Sequence, residues 1–146
     1  MKGLYTICML LGLFLIVGCQ SNQENTMILL DEKVAVVNIS KSNGVGDMNQ
    51  DIILSFNNEQ SIKMFEKSIR TAVKQKSDIN VAKPDFDVMV EYGGGLPTHA
   101  IHLWLGEENK KSTLMYMVGE GETYLTSSKA TDQLRELILS EPIRQD

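Results

Sequence analysis

The apolar positions of this sequence fall into three patterns: one unbroken run at the start, stretches with a period of two, and two stretches with a helical period. Val34-Ala35-Val36-Val37-Asn38-Ile39 is rich in branched residues and predicts a first strand. Ser42 to Asp47, with Gly44 and Gly46, reads as a loop, and Asp51 to Phe56 as a second strand pairing with the first. Asn57 then offers a helix N-cap, with Gln60 three residues on in the capping-box position. Ile62, Phe65, Ile69 and Val73 recur at helical spacing, so a helix is predicted from about Asn58 to Lys76.

After Pro84 the period drops to two. Phe86, Val88, Val90 and Tyr92 alternate with Asp85, Asp87, Met89 and Glu91, the pattern of a half-buried strand. Gly93 to Pro97 must turn, and His99 to Leu105 is the next strand. Gly106 to Lys110 turns again, Thr113 to Val118 is a strand, Gly119-Glu120-Gly121 turns, and Thr123 to Leu125 ends the meander. Ser127 or Ser128 caps a last helix from Lys129 to about Leu139, with Ala130, Leu134, Leu137 and Ile138 on one face and Pro142 as a stop. The order ββαββββα predicts an α+β fold: an antiparallel sheet of about five to six strands with both helices packed on one face.

The unbroken run changes the picture of the N-terminus. Met1-Lys2 gives a short positive end, and Leu4 to Val17 is apolar except at Thr6 and Gly12. That core is about 14 residues, whereas a spanning helix needs roughly 20. Leu15-Ile16-Val17-Gly18-Cys19 resembles a lipobox, so residues 1–18 are expected to be a lipoprotein signal peptide and Cys19 the lipidated residue. The other reading is an ordinary signal with an accidental cysteine. Residues 19–27 would then be the lipidated cysteine and a polar tether, and 28–146 a single extracytoplasmic α+β domain. The anchor would place it at the cell membrane, on the extracytoplasmic face.

Composition narrows the chemistry. Cys8 lies in the signal core and Cys19 would carry lipid, which leaves no cysteine for a disulfide, a thiolate metal site or a nucleophile. Loss of Lys2 with the signal takes the formal charge from −5 to −6, and beyond Lys110-Lys111 there is no basic block. Nucleic acid is therefore not an expected partner.

Lys83-Pro84-Asp85-Phe86-Asp87-Val88, His102-Leu103-Trp104-Leu105 and Thr123-Tyr124-Leu125-Thr126, in this order after a long helix, resemble the YhfM-like domain of small lipoproteins from Bacillus-type bacteria. The resemblance covers about Val34 to Leu139. It implies a membrane-attached extracytoplasmic domain and brings no catalytic residues.

Candidate chemistry is sparse. His99 and His102 are three apart on a strand and point to opposite faces, so they do not chelate one ion together; His102 reads as a surface residue. Asp85, Asp87 and Glu91 share a strand face and suggest paired carboxylates or calcium, but a flat row already spaces Asp85 and Asp87 about 6.5–7 Å apart, and a solvated face explains them better. No Gly-x-Ser-x-Gly occurs, and the glycine clusters lie between strands, where they explain hairpins rather than phosphate cradles. No metal, cofactor or enzymatic activity is expected. The sheet face opposite the helices carries Met89, His102 and Trp104 and is apolar for a solvated surface, which marks a possible partner surface. Alternatively, Met27 to Leu30 or the loop covers it. These readings lead to a lipid-anchored domain, non-enzymatic, that binds an envelope protein; the alternative is a small-ligand sensor or carrier with a cleft between sheet and helix.

Overall fold

A computed structural model of the chain describes residues 25–76 and 82–140. The signal segment, Cys19, the start of the tether and Pro142 lie outside the described residues. The elements are β1 (Val34–Lys41), β2 (Ile52–Phe56), α1 (Glu59–Arg70), β3 (Val73–Lys74), β4 (Phe86–Tyr92), β5 (His99–Trp104), β6 (Thr113–Tyr116), β7 (Thr123–Leu125) and α2 (Ser128–Leu139). They form one antiparallel sheet in the order β2-β1-β4-β5-β6-β7-β3. The α+β class holds, with seven strands rather than five or six.

The added strand comes out of the predicted helix. Ile62, Phe65 and Ile69 are buried as the stripe requires, but α1 stops at Arg70, and Val73 and Lys74 pair with Leu125 and Tyr124 at the sheet edge. The ladder overrides helical spacing there, helped by β-branched Thr71 and Val73. At the other end the cap is Asn58, not Asn57: its side chain accepts from Ser61 N–H. Ser127 caps α2 by accepting from Ala130 N–H.

Both helices lie on one face of the sheet. Phe65 and Ile69 of α1 and Leu134 of α2 converge on Val88, Ile101, Leu103 and Leu114. Burying each such side chain contributes about 1.5–3 kcal/mol. The domain also begins earlier than expected, because Thr26 bridges to Val73 and Met27 is 2% exposed. Between β5 and β6, Gly106 is required for space: a Cβ there would lie 2.3 Å from the Lys111 carbonyl oxygen.

Candidate functional site

Register brings together three polar residues that are distant in sequence. Ser40 on β1 faces Asp87 on β4, which faces His102 on β5. All three lie on the face opposite the helices, and all are 0% exposed. Burial of this row requires a cover, and the β1–β2 connection supplies it. Asn49 N–H donates to Asp87 Oδ2 (2.9 Å), Ser40 Oγ donates to the Asn49 carbonyl (2.7 Å), and Gly46 N–H donates to His102 Nε2 (3.2 Å). His102 Nδ1 and Asp87 Oδ1 are 2.9 Å apart. Since Nε2 accepts from Gly46, the ring proton sits on Nδ1 and is given to Asp87.

Two sequence expectations are corrected here. His102 is not a surface histidine, and Asp87 does not belong to a solvated carboxylate row. The loop, and not the N-terminal segment, covers this face, which removes His102 from any partner surface. Trp104 and Met89 remain half-buried; Trp104 stands edge-on to His102 with ring centroids 6.1 Å apart.

The row contains the residue types of a serine hydrolase in an order that cannot work as one. Asp87 lies between Ser40 and His102, whereas a nucleophilic serine must give its proton to the histidine. Ser40 gives its proton to Asn49 instead. The His102–Asp87 pair is nonetheless oriented like a general-base dyad, with the carboxylate behind Nδ1 and Nε2 turned outward. Its outer cap is thin. Gly46 is itself exposed, Val45 beside it is 63% exposed, and among the described residues Gly46–His102 is the one hydrogen bond that ties residues 43–48 to the sheet. One such bond contributes about 0.5–1.5 kcal/mol.

A second site lies on the helix face. A cleft of about 610 Å³ opens between the start of β1 and the first turns of α1. Val34 and Ile62 make an apolar floor; Lys33, Lys63, Glu59 and Glu66 make a charged rim. Lys63 and Glu59 pair at 2.6 Å on the surface, each shifting the other toward its charged form through the hydrogen bond first and the charge second. No group of three or more metal-ligating side chains occurs among the described residues, and none of their helices is long and apolar enough to cross a membrane.

Below that cleft, residues 27–30 form a strap across the helix face. Tyr116 OH accepts from Ile28 N–H and donates to the Ile28 carbonyl, while Arg70 donates to the Leu29 and Leu30 carbonyls. Tyr92 OH accepts from Leu30 N–H and has its own proton for His99 Nδ1, 2.9 Å away. Burial, and secondarily the Arg70 charge, holds His99 below its ordinary value of 6.5. The unfolded chain therefore takes up a proton near 6.5 where the folded one resists it, so stability is complete above that pH and falls as pH drops through the window below it. Melting at pH 7.5 and 5.5 should show this loss. His99→Asn, which keeps an acceptor but does not titrate, should flatten it, and an unchanged slope would remove His99 as the cause.

The family comparison matches the model described as YhfM protein over residues 31–142. The chain belongs to the YhfM family. No curated protein matches it in sequence. Among solved structures, a crystal structure of a thioesterase-like protein from Clostridium sporogenes is similar, with a TM-score of 0.57 and 14% identity over 74% of this chain and 96% of the other. At that identity the likeness is one of fold. It overturns the expectation that the domain is not an enzyme: this YhfM-family chain has an architecture that a thioesterase-like protein shares, and the buried dyad adds a pair that no linear motif disclosed. Ser40, Asp87 and His102 are joined only by strand register, so nothing in the linear sequence shows that Asp87 and His102, each a candidate on its own, pair with each other beside Ser40.

Proposed function

We propose that this YhfM-family domain is lipid-anchored through Cys19 on the extracytoplasmic face of the membrane and binds a small amphipathic ligand in the cleft between β1 and α1. The cleft carries the reading. Its volume of about 610 Å³ falls in the range of small-molecule sites, and an apolar floor under a charged rim suits a ligand with an apolar body and a polar head. A domain held close to a bilayer would meet such molecules at high local concentration.

The test uses the anionic probe anilinonaphthalene sulfonate with the folded protein. Saturable binding at one site is expected. It should weaken at least tenfold in Ala35→Trp, which fills the cleft from an exposed β1 position, and weaken further in Lys33→Glu. Binding unaffected by Ala35→Trp would sink the cleft as the site. Anchoring is checked separately: Cys19→Ser should release the domain or leave an unprocessed precursor, and normal processing with membrane retention would count against it.

The fold shared with a thioesterase-like protein favours a second reading, in which the domain hydrolyses an acyl thioester. Release of free thiol from acyl thioesters by the purified protein tests it.

A further inference from the structure

We infer that residues 43–48 form a flap over a general-base site, in which His102, backed by Asp87, activates water against a thioester-type acyl group. The inference rests on the hydrolase reading for its substrate class and on the geometry of the second sheet face for its place. That place is not the β1–α1 cleft, which lies on the other side of the sheet.

The arrangement has the parts such a site needs. Asp87 Oδ1 fixes the Nδ1–H tautomer of His102, leaving Nε2 as the basic nitrogen. A second donor, Asn49 N–H, holds the other carboxylate oxygen, so Asp87 is fixed at both ends. His102 Nε2 is separated from solvent by the thickness of one peptide, because the Gly46 that caps it is exposed. Gly44 at φ +136° and Gly46 at φ +141° give the flap backbone conformations open to glycine and strained for other residues. The flap's ends are secured: Ser42 N–H donates to the Asp85 carbonyl, and the Asn49 side chain donates to the Lys41 carbonyl. The apex can lift without releasing the ends.

With the apex lifted, Nε2 faces outward beside Trp104; Met89, paired with Ala100, lies diagonally across on the same face, and the two side chains offer an apolar seat for an acyl chain. Water placed at Nε2 would give its proton to the ring as its oxygen bonds to the acyl carbon. The carbon–sulfur bond then breaks, and the thiolate leaves with that proton. The products are an acid and a thiol, and His102 is returned to its starting tautomer.

Two measurements on the intact protein test this. First, diethyl pyrocarbonate should carbethoxylate His102 in the folded state far faster than the slowest core amides exchange. Gly46→Ala should raise that rate severalfold, because at φ +141° alanine strains the closed flap while its Cβ meets nothing within 4 Å. Labelling of His102 only at the rate of global unfolding, unchanged by Gly46→Ala, overturns the flap. Second, thiol release from N-acetylcysteamine thioesters of acetyl to decanoyl chains should fall about 10²-fold or more in His102→Gln and in Asp87→Asn, with folding checked by circular dichroism. Trp104→Ala should raise KM for the longer chains more than it lowers kcat. Release that persists in His102→Gln overturns the inference and leaves the hydrolase reading standing; no release by any form overturns both.

Discussion

His102→Leu is expected to cost about 3–5 kcal/mol of folding stability, a large share of what a domain of this size possesses. The variant removes the donor to Asp87 Oδ1 and strands a carboxyl group that is 0% exposed, with Asn49 N–H as its remaining partner. Asp87→Leu should be comparably severe, since it leaves His102 Nδ1–H and Asn49 N–H without acceptors in a dry environment. The double variant should cost less than the two singles together, by about 1–3 kcal/mol, because each first substitution already incurs the penalty of isolating the partner. Urea unfolding of the four proteins gives the cycle. Single variants that cost under about 1 kcal/mol would mean that water reaches the pair in the closed state. The Gly46 and Asn49 amides should exchange faster in His102→Leu, a local effect that distinguishes release of the loop from general loosening.

This buried pair also shows where sequence patterning stops being informative. Alternation placed Phe86, Val88 and Val90 on the helix side and Asp87 and Met89 on the other, and the structure has them there. The same alternation gives no sign of what lies above Asp87. Its surroundings depend on a histidine fifteen residues later and on a loop nearly forty residues earlier, and neither relation has a period. A polar residue in a strand was thus read as solvated when it was buried and fully partnered. The strap fared likewise: Met27 and Leu29 are core residues, yet a four-residue apolar stretch after a polar tether carries no signal of the tyrosines that receive it. The end of α1 was misplaced for the opposite reason. Val73 does continue the stripe of Ile62, Phe65 and Ile69, but edge pairing with Leu125 takes it out of the helix. The cleft was foreseeable as a class, sheet against helix, and not as a place, because its floor joins Val34 to Ile62 across elements that only the fold brings together.

Phe65→Ala is the other substitution with a large expected effect, about 3–5 kcal/mol. Phe65 is 1% exposed and, with Ile69, is where α1 meets both the sheet and α2. Its ring lies 5.2 Å from that of Phe56 on β2, tilted by 46°. The neighbourhood already holds a void of about 10 Å³ among Phe65, Leu103 and Leu134, and its walls are apolar, so a water molecule there would find no partners with which to compensate the loss. The walls are strand residues fixed by the ladder, so they can close little of the added space, which places the cost in the upper part of the range. Phe65→Met, which refills most of the volume with a flexible chain, should cost less than about 1.5 kcal/mol. The consequence reaches the cleft. Ile62, one turn earlier on α1, forms its floor, and Glu59, Lys63 and Glu66 stand on the same helix. A helix that loses its central anchor shifts against β1, so probe affinity in Phe65→Ala should fall even at temperatures where the protein remains folded, while Phe65→Met should keep it. Equal affinity in the wild type and Phe65→Ala under those conditions would show that the cleft is held by β1 alone and that α1 contributes no more than a rim.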